Sequence, residues 1–251
     1  MIPLIGVEVR RLLSRRLLKV LGLLSVAAFA LAAVLLYINT DDSDNARLVD
    51  LFDNMLGVGP LAIILSLVIG ASFIGAEWHH RTITTALTWE SRRPRLIIAK
   101  LVAGFVVVFL ATLTFLALFA VSVLPTPVLK GSTTGADAEW LREGIGLALR
   151  ISAVGALAAT AGLSIATIGR NTAAALGASF VYLGVLESVL RGWKPHWGPW
   201  LLGDNASVFI TGGESTNHIG HTTLEAGAVV VGYSALMFVV AMLFFLRRDV
   251  N

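Results

Sequence analysis

Apolar residues in this chain gather into six long blocks that carry almost no charge: Val20 to Ile38, Val58 to Ala76, Leu101 to Leu124, Ile151 to Gly169, Asn171 to Leu190 and Ala226 to Leu246, the fifth with one internal acid. Each is about 18 residues or longer, enough for a helix to cross roughly 30 Å of hydrocarbon. A helix satisfies its own backbone in lipid, whereas an open sheet edge does not, and the alternating pattern of barrel strands is missing. The pattern therefore predicts an all-α integral membrane protein with six transmembrane helices. Residues 1–19 precede the first block and read as an amphipathic interfacial helix. Ile5, Val9, Leu12, Leu13 and Val20 share one face, while Glu8, Arg11, Arg15 and Lys19 recur on another. The first block continues through Leu36, Tyr37 and Ile38 with no small-residue cleavage site, so a cleaved signal peptide is not expected.

Composition agrees with the pattern, since 56% of the 251 residues are apolar and 14% are charged. The net charge of +3 invites a nucleic-acid reading until the basic residues are placed. Six spans put both termini on one side. Arg10, Arg11, Arg15, Arg16, Lys19, Arg81, Arg92, Arg93, Arg95, Lys100, Arg170, Arg247 and Arg248 all fall there, thirteen of nineteen. The opposite side carries twelve of the sixteen acids, including Asp41, Asp42, Asp44, Asp50 and Asp53. The positive-inside rule then predicts cytoplasmic termini in a plasma membrane, and no nucleic-acid partner is expected. With no cysteine in the chain, disulfides and thiolate chemistry are excluded.

The most informative polar stretch lies on the terminal side, Glu77 to Lys100. Its centre, Trp78 to Trp89, lacks Gly and Pro and is too polar to cross the bilayer. A short helix parallel to the membrane is predicted there, stopped by Pro94, with Lys100 leading into the third span. Such a helix is either a connecting loop or a lever that passes a push to the spans on both sides. The residues resemble the permease subunits of bacterial ATP-binding-cassette transporters of the type-2 export class, in particular actinobacterial members. Glu77, Arg81 with Thr82, the run Ile83 to Leu87, the basic turn Ser91 to Arg93, and Lys100 follow that family's order. Trp89 and Glu90 stand where many members have proline, and Arg81 replaces a commoner glycine.

The resemblance implies a coupling helix seated in a groove of a separate ATPase, with Glu77, Trp78, His79, His80, Arg81, Thr82, Thr85, Leu87 and Trp89 as the coupling residues. It also implies two copies of a cytoplasmic ATPase that bind ATP and magnesium, and a second permease, either a copy or a paralogue. No cofactor is expected in this chain. No GxxxxGK[ST] phosphate loop occurs in it, so energy would come from the other polypeptide.

On the opposite side, Arg191 to Leu224 contains Trp193, Trp197 and Trp200 with Pro195 and Pro199. These tryptophans read either as an interfacial belt or, by the resemblance, as part of short re-entrant helices capping the path. Arg150 and Glu187 are the charges expected within the bilayer; they form an outer gate pair, or snorkel to the headgroups. His218 and His221, near His196, Asp204 and Glu214, do not make a convincing metal site, because Gly220 loosens the segment and no HExxH helix assists. No GxSxG elbow is present and no span holds two carboxylates, so hydrolase chemistry is not expected. Gly155, Ala159, Gly162, Ala173, Gly177 and Gly184 line the fourth and fifth spans at spacings that allow close helix approach, within the chain or between copies. Together these features predict the permease of an ATP-driven exporter, forming the translocation path; a non-transporting membrane scaffold or resistance sensor is the competing class. Cargo identity is not encoded legibly, beyond a lining that favours amphipathic compounds.

Overall fold

A computed structural model describes residues 1–40, 46–80, 82–90, 92–213 and 219–247, without the side chains of Thr84, Ala86 and Trp89. Six helical segments are long and apolar enough to cross a membrane, and no strand occurs among the described residues. The chain is an all-α membrane protein. Helix α1 (Ile2–Ser14) starts with Pro3 in its first turn and stops at Arg15, whose ψ of 134° is extended. The first span, α2 (Arg16–Asn39), begins directly afterwards, so the interfacial helix ends before the expected residue 19. The second span is α3 (Leu51–His79), which accommodates Pro60. A turn at His80 leads to α4 (Thr82–Trp89), and α5 (Arg93–Val123) forms the third span, followed by the short α6 (Pro125–Lys130).

The fourth span is α7 (Ala138–Gly169), capped by the Asp137 carboxylate, which accepts from the Trp140 amide at 2.8 Å. The fifth is a continuous segment made of α8 (Thr172–Phe180), a π-helical stretch (Val181–Leu186) and α9 (Glu187–Trp193). A 3-10 turn (Pro195–Trp200) and α10 (Leu202–Thr211) lie between it and the sixth span, α11 (Thr223–Arg247). Thr222 and Glu225 cap α11 reciprocally: Glu225 Oε2 accepts from the Thr222 amide at 2.8 Å, and Thr222 Oγ1 accepts from the Glu225 amide at 3.3 Å.

The spans surround α7, which packs against α3, α5, α8, α10 and α11. Small residues make the α3–α7 approach close. A Cβ on Gly70 would collide with the Ala159 carbonyl, and one on Gly162 would lie 2.6 Å from the Leu67 carbonyl oxygen. Gly155 faces Ser66 and Thr112. Ser66 Oγ donates to Ala62 O at 2.7 Å, which leaves Thr112 as donor in the 3.0 Å Thr112–Ser66 bond. By contrast, among the described residues nothing from another element lies within 4 Å of a Cβ placed on Gly177 or Gly184. The small-residue run therefore divides, with the fourth-span members used internally and these two fifth-span glycines facing outward. In α2 none of the most apolar window is buried: one side packs against α5, where Phe29 meets Phe115 and Phe119 edge-on, and the rest is left for lipid or another chain.

Candidate functional site

On the terminal side, four elements converge on one side chain. Lys100, about two turns into α5, is fully buried, and its Nζ donates to Glu8 Oε2 at 2.8 Å and Glu77 Oε1 at 2.7 Å. Arg15, in the break between α1 and α2, donates to the Ser72 and Phe73 carbonyls at 2.7 Å each and lies 3.7 Å from Glu77. Burial lowers the pKa of Arg15 from its usual value, while Glu77 and Glu8 raise it. Both cations flank the Phe73 ring, with Arg15 Cζ at 5.1 Å and Lys100 Nζ at 5.0 Å from its centroid. Glu8 also accepts from Arg11 at 3.1 Å. Two buried carboxylates and two inward cations thus balance, which a low-dielectric site requires. Among the described residues, Glu77 Oε2 is the one buried carboxylate oxygen without a hydrogen bond.

This arrangement corrects the reading of α1. Glu8 is 1% exposed and stands on the inward face with Leu12, while Leu13, expected on the apolar face, is half exposed. The boundary between the faces points inward, because Lys100 needs carboxylates more than the bilayer surface does. A signal existed in the sequence: Glu8 lies three residues after Ile5 and four before Leu12, so it flanks the apolar stripe. Lys100 was equally legible as a lysine inside an apolar helix rather than at its edge.

The predicted coupling residues sit around this cluster. The Trp78 ring lies under the Arg170 guanidinium, 4.6 Å from centroid to Cζ, and edge-on to Phe245 at 6.3 Å. Arg170 turns the chain from α7 into α8 with a left-handed φ of 52°, a conformation costly for a side-chain-bearing residue. His79 and His80 are exposed, and their rings meet edge-on at 5.0 Å. The helix expected over Trp78 to Trp89 is therefore two helices: α3 continues to His79, and α4 begins at Thr82, whose Oγ1 donates to Glu77 O at 3.4 Å. Arg81 lies outside the described residues, as does the Trp89 side chain. Pro94 does not stop α4. It occupies the first turn of α5, where a missing amide costs nothing. Along α4, Ile83 is buried and Leu87 packs against the core, while Thr82, Thr85 and Thr88 are exposed. The Lys100–Glu77 pair ties the two ends of this excursion together, so α4 rests on a closed loop.

On the far side, the expected Arg150–Glu187 pair is not formed. Glu187 is buried, and both its oxygens accept from the Gly203 amide at 3.0 Å. The carboxylate caps α10, where the free amides and the helix dipole favour an anion. Gly203 lets the carboxylate sit directly over the amide, since a Cβ there would make Glu187 Oε2 shift. Arg150 instead donates from Nε to Gly146 O at 3.2 Å, reaching back toward the start of α7, with its guanidinium against Gly212. Each charge finds backbone nearer than the other side chain. The Arg191–Asp204 pair adds a second tie between the fifth span and α10. Trp193 and Trp200 are largely exposed and Trp197 less so; Lys194 Nζ lies 5.2 Å from the Trp193 centroid and 4.9 Å from that of Trp197, and Trp200 O accepts from Tyr233 at 2.8 Å. Asp41, Asp42, Asp44, Glu214 and His218 lie outside the described residues. His221 Nδ1 is 2.8 Å from Asn205 Oδ1. Because the Asn205 amide nitrogen already donates to Pro199 O at 2.9 Å and Leu201 O at 2.7 Å, Nδ1 is the donor in that bond.

A search of curated proteins finds no match. The family model described as ABC-2 family transporter protein matches residues 4–185, from α1 into the π-helical stretch, including Glu8, Glu77, α4 and Lys100. With its six apolar helices and a match over most of its length, this chain belongs to the ABC-2 family of transporter proteins, as a membrane permease.

Proposed function

We propose that this chain is the membrane subunit of an ATP-driven exporter and forms part of the substrate path. It works with two copies of a cytoplasmic ATPase and with a second permease, a copy or a paralogue, in a bacterial plasma membrane with both termini in the cytoplasm. ATP and magnesium bind to the ATPase. In this reading ATP-driven closure of the ATPase pair pushes α4, and the push tilts the spans between inward and outward access.

The observation that carries the proposal is the mounting of α4. One face, Ile83 and Leu87, is fixed to the core, the other presents threonines to solvent, and Lys100 clamps the start of α5 to the end of α3. Through Lys100 a force on α4 reaches α3 and α5 together, and Glu8 and Arg15 carry it to α1 and the first span. This also changes the choice of test residue. Reversing the charge of Glu77 breaks the buried cluster, so loss of transport in that variant reports on folding as well as coupling. Thr85 is cleaner because it is exposed. The chain has no native cysteine, so Thr85→Cys supplies a unique thiol. A membrane-impermeant maleimide is expected to label it in inverted vesicles only, more slowly when ATPase is bound. Labelling in right-side-out vesicles, or a rate indifferent to the ATPase, contradicts the proposal.

A further inference from the structure

Two cavities on the far side share a wall. The first, about 400 Å³, lies between α3, α7, α10 and α11 and is almost wholly apolar, with Ile63, Leu67, Leu157 and Val230 among its lining residues. The second, about 470 Å³, lies nearer the start of α7 and is lined by Phe52, Asp53, Trp140, Glu143 and Arg150. Leu56, Ile210 and Thr211 belong to both, so an apolar chamber adjoins a charged one.

The charged chamber is ordered in a particular way. Trp140, Glu143, Leu147 and Arg150 recur at helical spacing along one face of α7. Phe52 and Trp140 stack with centroids 4.4 Å apart, and the tryptophan is fixed by its Nε1 donating to Val49 O at 3.4 Å. Phe52 also lies against Gly144, where any side chain would collide with the ring. Asp53 and Glu143 are exposed, and among the described residues neither forms an ion pair; Arg150 likewise has no carboxylate partner among them. A cation facing two unpaired carboxylates across a shared chamber, without neutralising them, matches a ligand that carries both charges. A guanidinium recognises a phosphate, and fixed aromatic rings beside carboxylates recognise an alkylammonium.

We propose that this pair of chambers binds a zwitterionic amphiphile, with its phosphate on Arg150, its alkylammonium on Phe52, Trp140, Asp53 and Glu143, and its alkyl chain in the apolar chamber. Calling that ligand cargo rests on the permease reading; its binding does not. An amphiphile lying this way spans the boundary between hydrocarbon and headgroups, which is where the far end of α7 emerges. The ligand class also accounts for a chamber that is nearly free of polar groups while its neighbour holds three formal charges.

The test uses Ser207→Cys, a near-isosteric change on the wall of the apolar chamber and the sole thiol in the chain. The purified protein, without ATPase and in a constant background of dodecyl maltoside, is alkylated by maleimide while dodecylphosphocholine, dodecyltrimethylammonium, dodecyl phosphate or phosphocholine is titrated in. Dodecylphosphocholine is expected to protect at about one-tenth the concentration of either singly charged amphiphile, the worth of one charge-assisted contact. Arg150→Gln removes the advantage over dodecyltrimethylammonium, and Asp53→Asn with Glu143→Gln removes that over dodecyl phosphate. Equal protection by all three amphiphiles, protection by phosphocholine alone, or insensitivity to the charge variants overturns the proposal. Ala158→Cys, on the opposite wall, repeats the measurement if Ser207→Cys does not fold. Protection without ATP-driven movement of the amphiphile leaves the site standing and removes the permease reading. Coupled ATPase with no protection does the reverse.

Discussion

Replacing Lys100 with methionine tests the terminal-side cluster most severely, because the side chain keeps its length and apolar stem while losing the ammonium. Glu8 and Glu77 lie 2.8 and 2.7 Å from that nitrogen, and all three residues are buried. Removing one partner from a buried ion cluster leaves charge without compensation, at a cost of about 3–5 kcal/mol. For a chain of this size that lowers the melting temperature by roughly 6–20 °C. Arg15 offsets only part of the loss: two of its N–H groups are held by the Ser72 and Phe73 carbonyls, and its guanidinium stands 3.7 Å from Glu77, beyond hydrogen-bond range. The double variant Glu8→Gln, Lys100→Met removes one charge of each sign, leaves Glu77 facing Arg15, and is expected to return to within about 1–2 kcal/mol of the wild type, because neutral replacement of a buried pair is often tolerated. The assay is thermal unfolding of both variants in the same detergent, with hydrogen exchange over residues 2–14 as a local readout. A Lys100→Met protein as stable as the wild type, or a double variant worse than the single one, refutes the claim that the carboxylates are held by this lysine.

Further consequences follow from other contacts. Glu187→Gln weakens the cap on α10 by about 1–3 kcal/mol, as expected for a hydrogen bond to a buried charged acceptor, and hydrogen exchange across residues 202–211 should rise; unchanged protection there contradicts the capping role. Gly162→Ala forces α7 away from α3 and is expected to cost about 1–3 kcal/mol, whereas Gly177→Ala meets open space and should be neutral or stabilising by up to about 1 kcal/mol in the isolated chain, both measured by thermal unfolding. If Gly177→Ala instead lowers stability only when the permease is assembled, that outward face is a contact between subunits. Arg170→Gly relieves the left-handed backbone but removes the cation over Trp78, so Trp78 fluorescence should change while overall stability shifts by less than about 1 kcal/mol; no spectral change argues against the contact.

The spans were legible because continuous apolar length is a physical requirement of the bilayer, independent of what packs against each helix. The short helix between the second and third spans was legible for a related reason: its centre is too polar to insert and contains no breaker. What periodicity does not report is the third dimension. Glu8 and Lys100 are ninety-two residues apart, and each looks like an ordinary flanking charge until α1 is laid against α5. The same limit explains Arg150 and Glu187. Both are charges in apolar spans and so invite pairing, but α10, a segment of no great hydropathy, supplies the Gly203 amide that Glu187 prefers. Pro94 shows how one signal admits two readings, since a proline suited to ending one helix is equally suited to the first turn of the next, and here only the second role is filled.

The central claim is that α4 receives the work of a separate nucleotide-hydrolysing subunit. It is tested most directly by recovering the tagged chain from its native membrane and measuring magnesium-dependent ATP hydrolysis in the purified material, beside Thr85→Arg, which adds bulk and charge to the exposed face of α4 without touching the buried cluster. Hydrolysis is expected with the wild type, and its loss with the variant at equal chain recovery. Hydrolysis absent from the wild type, or retained in full by Thr85→Arg, contradicts the claim.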